Sequence, residues 1–182
     1  MKIAVMGAGS WGTTVAKVIA DGGNDVVLWS RRQDLADEIN ETSRNGDYLP
    51  GVDLPKALTA TSDLETALLN ATQIYIAIPS QSLRETLGEW KDLIPEGATV
   101  ISLMKGLEQS TGARMSEVIH QAANVPESQI AVLSGPNLAL EIARRDPAAA
   151  VCACEDQDRA IEVARVCSNQ YFTVFTNQDL VG

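Results

Sequence analysis

The stretch "KIAVMGAGSWGTTVA", residues 2–16, decides how the rest of the chain reads. Residues 2–6 form a short apolar run of strand length. Gly7, Gly9 and Gly12 follow at the spacing Gly-x-Gly-x-x-Gly. Val15, Val18 and Ile19 then recur at helical spacing until Gly22-Gly23. Glycines so spaced are a weak signal alone and a strong one between a strand and a helix. The first permits the tight turn. The second lets the backbone approach a pyrophosphate, and the third lets the helix pack close to the strand. The free N–H groups and positive dipole end of the helix then face the phosphates. Gly7, Gly9 and Gly12 are therefore expected to form a dinucleotide phosphate site.

Outward from this turn the pattern alternates. Apolar runs of strand length fall at 2–6, 25–29, 58–61, 73–78, 98–104, 129–134, 148–154 and 171–176. Helical segments lie between them, near 10–22, 33–44, 63–69, 82–93, 112–123, 137–145 and 157–168. The segment 45–56, rich in Gly and Pro, breaks the rhythm as a loop. The runs are mostly continuous rather than alternating, as a parallel sheet covered on both faces requires. Strands separated by helices imply right-handed βαβ crossovers. The expected fold is α/β: one Rossmann-type, doubly wound, mostly parallel sheet of about eight strands, spanning residues 1–182. "TNQDLVG" (176–182) reads as the start of another helix, so the chain is expected to be an N-terminal fragment of a longer protein.

Composition narrows the function classes. The chain has 182 residues, 45% hydrophobic and 21% charged, ordinary for a globular domain. No stretch approaches the roughly 20 apolar residues of a membrane span, and the first residues are too short for a signal-peptide core. A soluble cytoplasmic protein is expected. The net charge of -10 opposes nucleic-acid binding. Cys152, Cys154 and Cys167 read as buried reduced thiols. No metal site is expected, since zinc wants four ligands and His120 is the only histidine.

The second strand ends in "VVLWSRR". NAD sites usually place Asp or Glu there to bind the ribose 2′-hydroxyl. Here Ser30, Arg31 and Arg32 stand instead, and guanidinium forks suit a 2′-phosphate. NADP(H) is thus expected over NAD(H), which stays possible. "IPSQSLR" places Ser80 and Gln81 near the topological switch, either at the ribose or nicotinamide or, for Ser80 or Ser82, as a helix cap. Lys105, at a strand's carboxyl end in "LMKG", is expected to point into the crevice, binding a phosphate or polarising a carbonyl. Asn137, after the Gly135-Pro136 turn, is a candidate cap for the next helix and a candidate amide for a polyol substrate.

Together "IAVMGAGSWGTTVA", "YLPGVDLP", "IAIPSQSLR", "MKGLE…TG…MSEVI" and "VLSGPNLALEIA" closely resemble the N-terminal domain of bacterial NAD(P)-dependent glycerol-3-phosphate dehydrogenases. The resemblance runs through nearly the whole chain, and five separated motifs carry it. It implies reversible hydride transfer between NAD(P)H and dihydroxyacetone phosphate, giving sn-glycerol 3-phosphate for phospholipid synthesis. It also implies that Ser10, Trp11, Arg31, Arg32 and Tyr48 contact the cofactor. Lys105 would serve cofactor and substrate, Gly135 and Asn137 the substrate, and Ala139 the cofactor. The family more often has Ser-Phe where this chain has Asn137-Leu138. Its general acid/base is a lysine in a Gly-Ala-Leu-Lys-Asn stretch after "DLVG", where this chain ends. The resemblance therefore implies a cofactor-binding half without its catalytic lysine or C-terminal helical domain, inactive alone, and allows a homodimer for the full-length protein. Two other readings are a superfamily reductase of a keto or 3-hydroxy acid and a non-catalytic NADP(H)-binding module.

Overall fold

The computed structural model describes residues 1–181; Gly182 lies outside the described residues. In chain order the elements are β1 (Ile3–Met6), α1 (Ser10–Asp21), β2 (Val26–Trp29), α2 (Gln33–Thr42), β3 (Leu58–Thr61), α3 (Leu64–Leu68), β4 (Gln73–Ile76), α4 (Leu83–Trp90), β5 (Thr99–Ser102), α5 (Met115–Ala123), β6 (Ile130–Ser134), α6 (Ala139–Ala143), β7 (Ala148–Cys154), α7 (Gln157–Cys167) and β8 (Phe172–Asn177). The strands form one sheet of eight, in the order β3-β2-β1-β4-β5-β6-β7-β8.

The six strands from β3 to β6 are parallel. Every residue of β1, β4 and β5 is buried, because helices cover both faces. Successive residues alternate between two cores: Ile3 and Val5 pack on one face, Ala4 and Met6 on the other. The strand order reverses between β1 and β4, so a crevice opens at their carboxyl ends.

The expectation of βαβ crossovers throughout fails at one place. β6 and β7 pair antiparallel, Ser134 opposite Val151, although a helix lies between them. α6 is five residues long and packs on α1, not across the sheet. The chain therefore re-enters the sheet from the edge it left. α7 then makes a true crossover, and β8 runs parallel to β7.

Helix starts also differ from expectation for local reasons. α5 begins at Met115 and not near 112, since Gly112 has φ +73° and residues 107 and 114 form an antiparallel bridge. α6 begins at Ala139, after an extended Leu138. Asn137 caps nothing. Neither Ser80 nor Ser82 caps α4: residues 80–82 form a 3-10 turn, and the Ser82 hydroxyl donates to the Pro79 carbonyl. The three cysteines are free and buried, and burial pushes the Cys152 and Cys167 thiols up to about 12. Among the described residues no helix is long and apolar enough to cross a membrane.

Gly12 fixes the distance between α1 and the glycine turn. A Cβ built there would stand 1.9 Å from the Gly7 carbonyl oxygen and 3.0 Å from Ala77 Cβ. The helix cannot yield without leaving β1. Gly12→Ala is expected to cost about 2 kcal/mol or more, as overpacking in a close-packed site does. Urea unfolding checks this: the midpoint falls, and an unmoved midpoint would refute the close contact.

Candidate functional site

Two clefts flank the end of β4 and share the wall Ala77–Pro79. One, of about 250 Å³, lies between the glycine turn and the tip of β2, and Gly7, Gly9, Arg31, Arg32 and Tyr48 line it. The other, of about 390 Å³, takes in Trp11, Ser80, Lys105, Ser134, Gly135, Asn137 and Ala139. The sequence candidates thus gather at the carboxyl edge of the sheet. Gly12 lies buried and lines neither cleft, and Ser10 lines a separate cleft with Tyr48 and Ala139.

The glycine turn presents donors to the first cleft. α1 starts after Gly9 with no side-chain cap, so its first N–H groups have no side-chain acceptor. A Cβ built on Gly9 meets nothing within 4 Å and would project into open space. Gly7, at φ +124°, has the Ala77 carbonyl oxygen 2.4 Å from where its Cβ would be. Such an uncapped helix start beside a bare glycine fits a phosphate.

A loop straps over this turn. Asn45 is fully buried, and its amide donates to the Ala8 carbonyl at 3.0 Å and to the Thr13 hydroxyl at 2.8 Å. Its oxygen accepts from Tyr48 N–H, and the Tyr48 carbonyl accepts from the Ser10 hydroxyl at 2.6 Å. Sequence reading missed Asn45, because Asn-Gly in a loop signals a turn and nothing more.

The two arginines at the β2 tip differ. Arg31 is exposed, and among the described residues no carboxylate pairs with it. Arg32 is paired through each of its three nitrogens: Nε and Nη2 donate to Asp34 at 3.2 and 2.6 Å, and Nη1 donates to Asp47 at 2.6 Å. These carboxylates, Asp34 foremost, raise the guanidinium pKa above its ordinary value. The buried Ser30 hydroxyl accepts from Arg32 N–H and so shapes the turn.

In the second cleft Lys105 Nζ donates to the Ser134 hydroxyl and the Gly135 carbonyl, both at 3.0 Å. Ser134 was not among the sequence candidates; its place at the last residue of a strand was the available signal. The loop that carries Lys105 is held from behind. The Gln81 amide donates to the Leu107 carbonyl at 2.9 Å and accepts from Gln109 N–H at 3.0 Å. Gln81 therefore clamps this loop. Arg84 grips Glu108 through two bonds of 2.8 Å. That guanidinium, with the Thr111 hydroxyl, holds the Glu108 carboxyl down at about 2. Asn137 is among the residues lining the cleft, and both its amide atoms are buried and unpartnered. An orphaned buried amide costs roughly 1–3 kcal/mol unless a ligand completes it.

Comparison with known proteins places this geometry. The family described as NAD-dependent glycerol-3-phosphate dehydrogenase N-terminus matches residues 2–160. The chain belongs to this family. It is 53% identical over 180 residues to a glycerol-3-phosphate dehydrogenase [NAD(P)+] of Corynebacterium kroppenstedtii, covering 99% of this chain and 54% of that protein. A Mycobacterium tuberculosis relative, glycerol-3-phosphate dehydrogenase [NAD(P)+] 2, is 51% identical with the same coverage. The crystal structure of glycerol-3-phosphate dehydrogenase from Coxiella burnetii superposes with a TM-score of 0.91 at 34% identity, over 98% of this chain and 54% of that one. The chain thus spans about half the length of the relatives it matches. The family is thus one of NAD(P)-dependent dehydrogenases, and this chain matches its N-terminal part.

Gly9 and Gly12 should then separate by phenotype. Gly9→Ala adds a methyl to open space, so its unfolding midpoint should stay within about 0.5 kcal/mol of the parent's, as surface changes do. Its NADH affinity should nonetheless fall about tenfold or more, because the methyl occupies the pyrophosphate's approach. Retained affinity in fluorescence titration would mean the phosphates lie elsewhere.

Proposed function

We propose that the protein carrying this sequence interconverts dihydroxyacetone phosphate and sn-glycerol 3-phosphate with NAD(P)H, for glycerophospholipid synthesis in the cytoplasm. This chain is its cofactor-binding domain. One observation carries the reading: a lysine and an orphaned buried amide, Lys105 and Asn137, share a cleft that adjoins the glycine turn.

The residues divide the work. Gly7, Gly9 and the start of α1 hold the pyrophosphate, and Gly12 lets α1 come close enough to do so. Trp11 and Ala139 line the second cleft and Tyr48 the first, while Ser10 lines a third beside them with Tyr48 and Ala139. The bound cofactor supplies the hydride. Lys105 presents positive charge to the substrate's carbonyl or phosphate oxygens. Gly135 keeps the β6 turn small: a Cβ there would sit 2.9 Å from the Ala149 carbonyl and 3.0 Å from the Asn137 amide nitrogen. Asn137 then satisfies its amide on the substrate's hydroxyl or carbonyl. Arg31, with no carboxylate partner among the described residues, favours NADP(H) over NAD(H).

A reductase assay tests the core of this. Full-length protein should oxidise NAD(P)H on addition of dihydroxyacetone phosphate, and Lys105→Ala should lower kcat/KM about a hundredfold, the scale of a lost charge-stabilising donor. Absence of turnover in the full-length protein would overturn the reading. The cofactor preference is tested separately. Arg31→Ala should weaken NADPH about tenfold more than NADH, as loss of a charge-assisted phosphate contact does. Equal losses would remove Arg31 from the 2′-phosphate.

A further inference from the structure

We infer that Asp47 sets the cofactor selectivity of this site, by holding Arg32 away from the 2′-phosphate. The inference rests on the proposed reading in which the β2 tip meets the 2′ end of the cofactor.

Two arginines at that tip look from sequence like a double phosphate fork. The structure leaves only one of them open. All three guanidinium nitrogens of Arg32 donate to Asp34 and Asp47, while Arg31 has no carboxylate partner among the described residues. Two arginines against two aspartates leave the tip formally neutral. A 2′-phosphate arriving there meets one free guanidinium and must compete with Asp47 for the other. A bare 2′-hydroxyl faces no such competition.

Asp47 is singled out by how it is delivered. Asp34 is a near neighbour of Arg32 in sequence and pairs locally. Asp47 arrives from the strap, fifteen residues away. Asn45 fastens the strap to Ala8 and Thr13, and Tyr48 fastens it to Ser10. With both neighbours tied to the glycine turn, the Asp47 carboxylate is held on Arg32 without having to be ordered for the purpose. Both partners remain about half exposed, 47% and 50%. Such exposed pairs are weak enough for a doubly charged phosphate to displace. The pair therefore tunes selectivity without blocking either cofactor.

Fluorescence titration of this chain with NADPH and NADH tests the inference. Asp47→Asn should raise the ratio of NADPH to NADH affinity about fivefold, the scale of one exposed charge interaction. Asp47→Ser, which also removes the charge, should move the ratio in the same direction. The gain should vanish when Arg32→Ala is added, because the aspartate acts through that arginine. An unchanged ratio in both Asp47 variants overturns the inference. So does a gain that survives Arg32→Ala, which would mean direct repulsion of the phosphate. The underlying reading fails differently: Arg31→Ala combined with Arg32→Ala would then leave the ratio of the parent chain untouched.

Discussion

The contact of Gly12 with the Gly7 carbonyl is the constraint on which the rest of the site depends. It sets α1 hard against the end of β1, with room for hydrogen and no more. The same turn presses on β4, because the Ala77 backbone fills the space a Gly7 side chain would need. Three elements therefore meet at one point, and that point is where the strand order reverses. The glycine turn and the topological switch are a single packing unit. Two clefts diverge from it along the two sides of β4's end.

α1 also fixes the far wall. α6 is too short to hold its place by its own hydrogen bonds. It is pinned to α1 at both ends. The Thr14 hydroxyl donates to the Ala139 carbonyl at 3.2 Å, and Arg145, just beyond α6, donates to Asp21 at 2.9 Å. Asp21 also accepts from Lys17 and from the Tyr171 hydroxyl. Burial would raise the Asp21 pKa, but the bonds from Arg145, Lys17 and Tyr171 outweigh it and hold the carboxyl low. Lys17 is 4% exposed, so its charge needs that partner. One helix thus orients the glycine turn at its start and the Asn137–Ala139 wall along its side.

What was legible in the sequence follows from period and position. β1, β4 and β5 read as buried strands because they are apolar on both faces, and the glycine spacing marked the turn. The antiparallel entry of β7 was not legible, since a strand–helix–strand pattern looks the same whether the helix crosses the sheet or stays at its edge. Lys105 and Asn137 were singled out because each comes soon after an expected strand, and the fold brings both into one cleft. The helix-cap role weighed for Asn137 failed for a backbone reason: Leu138 is extended, so the helix starts one residue too late for Asn137 to reach it. Arg31 and Arg32 looked equivalent as neighbours in a string. Their difference comes from Asp34, close by in sequence, and from Asp47, which only the folded strap brings near. Asn45 and Gln81 act through backbone groups distant in sequence, and no local pattern encodes such bonds.

The charges at this site are thus placed by what grips their loops. Lys105 is exposed and flexible by type, and an unsupported loop would let its ammonium wander through solvent. Its loop is instead held as a strand would be, by the Gln81 amide bonding the backbone on both sides of Glu108. Glu108 itself lies buried in the grip of Arg84, and it stays ionised because that guanidinium and Thr111 favour the charged form. Gly106, at φ +102°, turns the chain sharply between lysine and clamp. With the backbone fixed so near, Lys105 has only its own side-chain torsions to order, and Ser134 and Gly135 order those. Electrostatic stabilisation of a developing oxyanion depends on such prior placement more than on the strength of the charge. The strap over the glycine turn and the clamp behind Lys105 are in this sense the same device, applied once to each cleft.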